Sequence, residues 1–137
     1  MRIIVIGGSG HIGTYLVPML VNAGHHVINI TRGQRKPYIE DPSWHKVENV
    51  ILDRDKESNF AEKVSSINPD IVVDLINFKL QDTIDIVTAL KKTNLTHYLF
   101  CSSIWSHGRA TKLPLDPNDP NKQPIDDYGK NKFESEK

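Results

Sequence analysis

Cysteine is almost absent from this sequence, and its scarcity excludes two kinds of architecture. The 137 residues include a single cysteine, Cys101, so the chain can form neither an intrachain disulfide nor a cysteine-based zinc cage. Long apolar runs are absent as well, since the apolar start from Ile3 to Ile6 is too short for a signal-peptide core or a membrane span. We therefore expect a protein of the reducing cytoplasm with no membrane partner.

An excess of charge of one sign is also missing. Seventeen Lys and Arg residues balance seventeen Asp and Glu residues. A dedicated nucleic-acid binder needs a basic surface to meet phosphates, so we expect no nucleic-acid partner. The six histidines include no pair with the spacing of a helical metal site, and we predict no metal. The length and the ordinary hydrophobic content predict one globular domain.

A buried strand followed by a glycine-rich turn and a helix opens the chain. Arg2–Ile6 is a β-branched run of the kind that is buried on both faces of a parallel sheet. The segment Gly7–Gly13 reads GGSGHIG, and apolar residues at helical spacing follow it. A flexible glycine loop is the alternative, but a strand before and a helix after the glycines favour a dinucleotide fingerprint.

Each residue of this fingerprint has a predicted task at a bound pyrophosphate. Gly7 permits the tight turn, Gly10 lets the backbone approach the pyrophosphate, and Gly13 lets helix and strand pack closely. The helix start, at His11 and Ile12, offers unpaired N–H groups and a positive dipole end to the phosphates.

The end of the second predicted strand, Val27–Thr31, indicates which cofactor binds. An acidic residue at this place binds the ribose 2′-hydroxyl of NAD, whereas its absence beside an arginine favours the 2′-phosphate of NADP. The sequence has Thr31 and Arg32 there. A solvated surface arginine is the alternative. We predict NADP, with NAD as the second choice.

Strands and helical segments alternate through the rest of the chain. The third, fourth and fifth predicted strands are Val47–Leu52, Ile71–Ile76 and His97–Ser103, and the helices between them are Ser58–Ile67 and Gln81–Thr93. This alternation predicts an α/β fold, a Rossmann-like doubly wound parallel sheet of five strands in the order 3-2-1-4-5. Its ligand is expected at the carboxyl ends of the strands.

Polar residues at two of these strand ends are further candidates for the cofactor site. Asp53, after the third strand, can accept the exocyclic amino group of adenine, although a turn or helix cap is the alternative. We group Arg54 and Ile76 with it as cofactor contacts. Asp74 is unexpected inside an apolar strand, because a buried carboxylate needs partners.

The chemistry-bearing residues come from the last third of the chain. Tyr128 and Lys132 lie four residues apart, which on a helix places phenol and ammonium on one face. A neighbouring ammonium favours the ionised form of a tyrosine and suits it to acid–base catalysis. Ser103, where the chain leaves the fifth strand, could hold a substrate oxygen by a hydrogen bond.

These residues together resemble a known family. The chain is similar to the N-terminal part of extended short-chain dehydrogenase/reductases, the NAD-dependent epimerase/dehydratase family, through GGSGHIG, Asp53, SSIWSHG after the fifth strand and YGKNK near the end. The resemblance implies Ser103 as the orienting serine, Tyr128 as acid/base and Lys132 on the nicotinamide ribose. After the fourth strand the family usually has small residues, whereas this sequence has Ile76, Asn77 and Phe78.

The resemblance also implies a reaction and a further domain. Family members move a hydride between a nicotinamide and a sugar carbon, so we expect a nucleotide sugar as substrate and epimerase, dehydratase or reductase chemistry. They continue past the catalytic helix into a substrate domain, so we expect residues 1–137 to be an incomplete NAD(P)-binding domain without it. Apolar sheet surface left exposed would then favour a homo-oligomer. A non-catalytic NAD(P)-binding sensor or interaction module is the alternative function.

Overall fold

The computed structural model describes all residues, 1–137, as one parallel sheet with helices on both faces. The strands are β1 (Arg2–Ile6), β2 (His26–Thr31), β3 (Glu48–Ile51), β4 (Ile71–Asp74) and β5 (His97–Phe100). The helices are α1 (Gly13–Asn22), α2 (Phe60–Ser66), α3 (Leu80–Leu90) and α4 (Asp127–Ser135), and two short 3-10 helices cover Pro42–Lys46 and Ile104–Ser106. None of these helices has the length and apolarity that a bilayer crossing requires.

The sheet has the order β3-β2-β1-β4-β5, and every neighbouring pair is parallel. The predicted doubly wound fold and its strand order are therefore confirmed. The chain leaves β1 toward β2 on one side and later returns to pair β4 on the other side. This reversal opens a crevice at the carboxyl ends of β1 and β4, where ligands of such sheets bind.

Both faces of the central strands are buried, which explains why their sequences are continuously apolar. Ile4 and Ile6 of β1 belong to a core with residues of α2 and α3, whereas Ile3 and Val5 belong to a second core with Val17 of α1. Alternate side chains of one strand thus enter opposite cores. A hydrophobic core on each face holds the sheet in place, and the loops of the candidate site follow the carboxyl ends of its strands.

The fourth and fifth strands end before their predicted last residues, in each case where a short polar side chain bonds to the backbone. The fourth strand ends at Asp74 rather than Ile76, and Asp74 Oδ1 accepts a hydrogen bond from Ile76 N (3.3 Å). The fifth strand ends at Phe100 rather than Ser103, since the Ser103 hydroxyl accepts a hydrogen bond from Trp105 N (3.3 Å) and starts a 3-10 turn. Between β2 and β3, Asp41 likewise accepts from Ser43 N (2.8 Å) and starts the other 3-10 helix.

Some apolar surface lies exposed at the β5 side of the sheet. Leu99 of β5 is 44% exposed, and Ile104 in the following turn is also exposed. Self-association through this surface stays a prediction.

Candidate functional site

The glycine-rich turn packs too tightly to accept side chains at key positions. Gly7 has a φ of 84°, in the left-handed region, and a Cβ there would lie 2.6 Å from Cγ2 of Ile76. A Cβ on Gly13 would lie 2.1 Å from the carbonyl oxygen of Gly8. Only glycine allows the first turn of α1 to approach the end of β1 this closely.

This close packing presents a row of open backbone donors. The amides of His11, Ile12 and Gly13 donate no hydrogen bond within the chain, and no side chain caps the start of α1. Unpaired N–H groups at a helix N-terminus, together with the helix dipole, bind phosphate groups. Open donors of this kind suit the pyrophosphate of a dinucleotide, and binding of a pyrophosphate by residues 7–13 stays a prediction.

Two adjoining cavities continue from the turn toward the end of β2. The first, about 100 Å³, is lined by Gly7, Ser9, Gly10, Thr31, Arg32, Gln34, Arg35 and Ile76. The second, about 280 Å³, is lined by Ser9, Thr31, Gly33, Arg35, Lys36, Pro37, Trp44, Asn49 and Ile51. Neither lining contains a carboxylate, and Arg35 reaches both cavities.

The cations of these cavities have no acidic partners. Arg32, Arg35 and Lys36 make no ion pair within the chain. Of these three cations, only Arg32 was predicted from the sequence as a cofactor contact. The signal for the other two was present in the run from 32 to 36, which has three cations in five residues directly after a strand that ends without an acid.

A buried polar ladder fixes the floor of the second cavity. Asn29 of β2 is fully buried, and its side-chain amide donates to Ser9 Oγ (2.9 Å) and to Asn49 Oδ1 (2.9 Å). The three residues come from the glycine-rich turn, β2 and β3. The ladder holds the Ser9 hydroxyl at the cavity wall, where it can contact a ligand.

Asp53 stabilises a turn and also borders a cavity. Its carboxylate accepts a hydrogen bond from Asp55 N (3.1 Å), which is a turn-stabilising role. Its side chain also lines a third cavity of about 120 Å³ together with Arg32, Arg54 and Ile76. Binding of the adenine amino group by Asp53 stays a prediction.

Arg54 pairs with the buried carboxylate that the sequence left unexplained. Its Nη2 lies 2.6 Å from Asp74 Oδ2, and the two side chains are 9% and 0% exposed. Nη1 donates to the carbonyl of Ile76 (3.3 Å). The guanidinium is thus engaged within the protein, and a direct contact of Arg54 with a cofactor stays a prediction.

Two more side chains complete the hydrogen bonding of Asp74. The Tyr98 hydroxyl donates to Asp74 Oδ2 (3.1 Å), and the Asn77 amide donates to the same oxygen (3.4 Å). Burial first, and then the Asp74 charge, raise the pKa of the Tyr98 phenol above its ordinary value. Tyr98 therefore keeps its proton and remains a donor to the carboxylate.

Lys132 is the most deeply enclosed of the predicted catalytic residues. Its ammonium donates to the carbonyls of Asn77 (2.6 Å) and Cys101 (2.7 Å), at the ends of β4 and β5. Nζ lies 4.7 Å from the ring centre of Phe100 and 5.6 Å from that of Tyr128. Burial lowers the pKa of the ammonium and outweighs the opposing effects of Cys101 and Asp74.

Tyr128 lies one turn before Lys132 on α4 and remains accessible. It is 38% exposed, and its ring centre is 6.3 Å from that of Phe78. Asp126 begins the helix by accepting a hydrogen bond from Gly129 N (2.7 Å). The predicted pairing of a phenol and an ammonium on one helical face is therefore present, with the phenol toward solvent.

The turn of Ser103 and the helix of Tyr128 come together through a glycine that sequence reasoning missed. A Cβ on Gly129 would lie 2.4 Å from the carbonyl oxygen of Trp105, so only glycine lets α4 approach the 3-10 helix Ile104–Ser106. The Ser103 hydroxyl itself accepts from Trp105 N. Roles for Ser103, Tyr128 and Lys132 in catalysis stay predictions.

A carboxylate at the end of α4 ties the same region to the long loop before it. Glu136 accepts hydrogen bonds from the Ser102 hydroxyl and from the Lys122 ammonium. Burial acts to raise the pKa of Glu136, but the hydrogen bonds from Lys122 and Ser102 outweigh it and hold the pKa below its ordinary 4.5.

Replacing Glu136 with glutamine should therefore destabilise the chain in a pH-dependent way. A lowered folded-state pKa contributes stability above about pH 4.5, and that stability is lost as the pH falls through the folded-state value. We expect the melting temperature of Glu136→Gln to lie below wild type at pH 7 and the gap to close in acid. Glu134→Gln, which removes an exposed partner of Lys137, is the control and should change little at either pH. A gap that does not depend on pH would contradict this assignment.

Comparison with known proteins identifies the family of the chain. Residues 3–137 match the model of the NAD dependent epimerase/dehydratase family. The chain is 29% identical over 116 residues to a 2′-dehydrokanamycin reductase from Streptomyces kanamyceticus, covering 84% of this chain and 31% of that protein. It is 26% identical over 151 residues to a UDP-glucose 4-epimerase from Lactobacillus helveticus, covering 100% of this chain and 46% of that protein.

A solved structure extends the comparison to three dimensions. A UDP-glucose 4-epimerase from Bifidobacterium longum, in complex with NAD⁺ and UDP, superposes with a TM-score of 0.80 at 22% identity. The match covers 99% of this chain and 47% of that one, so the likeness establishes the fold. The chain spans less than half the length of these relatives. Since the family model matches nearly all of its residues, the chain belongs to the NAD dependent epimerase/dehydratase family.

Proposed function

We propose that this chain binds a nicotinamide dinucleotide along the carboxyl edge of its sheet and serves hydride transfer at a sugar hydroxyl or carbonyl. One observation carries the proposal. The open amides of His11, Ile12 and Gly13 lie at the same sheet edge as the carbonyls of Asn77 and Cys101, which hold Lys132 one helical turn from Tyr128. A phosphate-binding helix start and an acid–base pair are thus supplied by one edge.

The bound nicotinamide would donate or accept the hydride, and the protein would supply position and proton transfer. Tyr128 would take the proton from a substrate hydroxyl, or return it, because its phenol is exposed on α4. The Lys132 ammonium lies 5.6 Å from the centre of the Tyr128 ring, one helical turn along α4. Ser103, in the turn next to α4, would hold the substrate oxygen by a hydrogen bond.

The cavities beside β2 support NADP rather than NAD as the cofactor. Three unpaired cations, Arg32, Arg35 and Lys36, surround a cavity wall that offers the hydroxyls of Ser9 and Thr31. A 2′-phosphate would find charge-assisted donors there and no repelling carboxylate. The 2′-hydroxyl of NAD would lack the acidic acceptor that it usually has.

Cofactor selectivity tests this assignment. Calorimetry with NADPH and NADH should show tighter binding of NADPH to the wild-type chain. We expect Arg35→Ala to raise the Kd for NADPH by about tenfold or more, the equivalent of one hydrogen bond to a charged group, and to leave the Kd for NADH almost unchanged. Arg32→Ala and Lys36→Ala should act in the same direction.

The control for this series is Lys91→Ala, because Lys91 is exposed and lies just after α3, at the opposite end of the sheet. It should change neither affinity. Equal losses for both cofactors in the Arg35 variant, or a wild-type preference for NADH, would contradict recognition of a 2′-phosphate. Failure of both cofactors to bind would remove the proposed function altogether.

We propose a nucleotide sugar as the substrate and UDP-glucose as the first probe, because relatives are UDP-glucose 4-epimerases. Since the chain spans less than half of those relatives, their activity is a proposal for the whole protein. The interpretation of residues 1–137 as a cofactor domain without its substrate domain likewise stays a prediction.

A non-catalytic NAD(P)-binding module is the second candidate, and one observation favours it. The Lys132 ammonium is buried against two carbonyls, and the Ser103 hydroxyl already accepts a backbone hydrogen bond. The ammonium is thus engaged inside the protein, and the Ser103 oxygen already has one donor. Binding of NADPH with no hydride transfer in the presence of UDP-glucose or its oxidised sugar would favour the module over the enzyme.

A further inference from the structure

We propose that Asp74 is a positioning residue whose buried carboxylate fixes the segment after β4 and, through it, both the pocket of the Lys132 ammonium and the wall of the glycine-rich turn. This inference rests on the proposed function, because the two ends that Asp74 joins are the proposed catalytic and cofactor-binding groups. Asp74 itself is fully buried and touches neither end directly.

The Asp74 carboxylate is hydrogen-bonded to the segment that directly follows β4. Asp74 is the last residue of β4, and its Oδ1 accepts from Ile76 N (3.3 Å) while its Oδ2 accepts from the Asn77 amide (3.4 Å). The chain is therefore bound back onto the strand end at two successive residues. Arg54 and Tyr98 hold the same carboxylate from β3's following loop and from β5.

Asn77 connects the Asp74 carboxylate to the Lys132 ammonium. Asn77 is 1% exposed, and its side chain is fixed by Asp74 and by the Tyr98 hydroxyl (3.3 Å). Its main-chain carbonyl is one of the two oxygens that accept from Lys132 Nζ. Any rotation of this peptide would remove an acceptor from a buried ammonium, so the direction of the ammonium depends on the Asp74 hydrogen bonds.

Ile76 connects the Asp74 carboxylate to the glycine-rich turn. Ile76 is the first of the two anchored residues, and its carbonyl accepts from Arg54 Nη1. Its side chain packs so closely on Gly7 that a Cβ there would be 2.6 Å away, and it also lines the cavity beside the glycine-rich turn. One carboxylate thus sets the separation between the phosphate-binding turn and the lysine.

The proposal differs from a merely stabilising role in a measurable quantity. A buried carboxylate that only stabilises the fold would change the free energy of unfolding and leave the folded site unchanged. A positioning carboxylate would also change the protection of the Lys132 ammonium in the folded protein. Hydrogen exchange of lysine ammonium groups, followed by ¹⁵N NMR, reads that protection without any turnover.

The experiment compares Asp74→Asn with wild type in the full chain. The asparagine keeps the size of the side chain and removes the negative charge. Arg54 loses its ionic partner, but it borders a surface cavity and can turn toward solvent. We expect the wild-type Lys132 ammonium, assigned by its absence from Lys132→Arg, to give a protected signal. In Asp74→Asn its exchange should speed up by about tenfold or more, with a similar rise in the Kd for NADPH.

Asn77→Ala is the second variant, because it keeps the carbonyl that Lys132 uses and removes only the side chain that Asp74 holds. It should speed up the same exchange, and it decides the matter alone if Asp74→Asn does not fold. Asp55→Asn is the matched control, since Asp55 is next to Arg54 in sequence but pairs with Lys79 at the surface. It should leave exchange and affinity unchanged.

The outcomes separate this inference from the proposed function. Faster ammonium exchange and weaker NADPH binding in both test variants, but not in the control, support it. A folded Asp74→Asn whose exchange and affinity match wild type, even with a lower melting temperature, overturns it, as does an unprotected ammonium in wild type. If NADPH fails to bind wild type, the proposed function fails, while ammonium exchange alone still decides whether Asp74 positions Lys132.

Discussion

Replacing Gly13 with alanine is expected to abolish tight cofactor binding and to weaken the fold. The added Cβ would lie 2.1 Å from the Gly8 carbonyl oxygen and 2.4 Å from its Cα, and neither backbone atom can move as a side chain could. Relief of such a clash requires α1 to move away from the glycine-rich turn. We expect the free energy of unfolding to fall by about 3 kcal/mol, the upper range for overpacking.

The displacement should damage binding more than stability alone explains. The amides of His11, Ile12 and Gly13 would move with the helix, so we expect the Kd for NADPH to rise by about 100-fold, or roughly 2.7 kcal/mol. Denaturant unfolding and calorimetry at a temperature where the variant is folded measure the two effects separately.

Gly24→Ala is the control for this prediction. Gly24 has a φ of 84° but open space around it, so alanine there adds backbone strain of about 1–2 kcal/mol without a clash. It follows α1 at the end remote from the glycine-rich turn, and NADPH affinity should hold. A Gly13→Ala chain that binds NADPH as wild type does would show that the glycine turn is not the phosphate site.

The second large effect is expected for Tyr128→Phe. This change removes the hydroxyl that would carry the proton and keeps the ring, which packs near Phe78 and below the Lys132 ammonium. General acid–base catalysis contributes about 10²–10⁴-fold, so we expect kcat with the UDP-glucose probe to fall by that factor. The Kd for NADPH should stay within about twofold, because the phenol is not a predicted phosphate contact.

Tyr15→Phe is the matched control, since Tyr15 is an exposed tyrosine on α1 with no hydrogen bond from its hydroxyl in the chain. Its kcat should equal that of wild type. A Tyr128→Phe chain with a kcat within about threefold of wild type would show that the Tyr128 hydroxyl does not carry the proton. Turnover absent from the wild-type chain itself would favour the non-catalytic module.

Much of the fold could be predicted because its signals are local. The β-branched runs of β1 and β2, the glycines between β1 and α1, and the alternation of strands with helices each lie within a few residues of one another. The strand order followed from the doubly wound, Rossmann-like pattern that these signals indicate together. The end of β5 could not be predicted, because it depends on whether the Ser103 hydroxyl bonds to solvent or to Trp105 N.

Only those residues of the candidate site that belong to a sequence motif could be predicted. The glycine-rich turn and the pair Tyr128 and Lys132 are visible as spacings. The partners of Asp74 were not, because Arg54 and Tyr98 come from opposite sides of it in sequence, 20 and 24 residues away, and meet only once the sheet has formed. The two carbonyls that hold Lys132 carry no side-chain signal at all, since any residue offers one.

The same limit applies to the second cavity. Arg35 and Lys36 follow β2 in a segment without helical periodicity, so their direction depends on how that segment crosses α1. Tyr38 N donates to the Thr14 hydroxyl (3.1 Å), and the Tyr38 ring lies 5.7 Å from that of His11. These contacts hold the basic segment, residues 32–36, over the glycine-rich turn. No pattern in the sequence predicts them.

The central claim, that the open amides at the start of α1 bind a dinucleotide pyrophosphate, is tested most directly by amide NMR of the ¹⁵N-labelled wild-type chain during titration with NADPH. Saturable binding with the largest shifts at His11, Ile12 and Gly13, and further shifts through the basic segment 32–36, is the predicted result. Absence of saturable shifts, or largest shifts on α2 and α3 instead of at the start of α1, would contradict it.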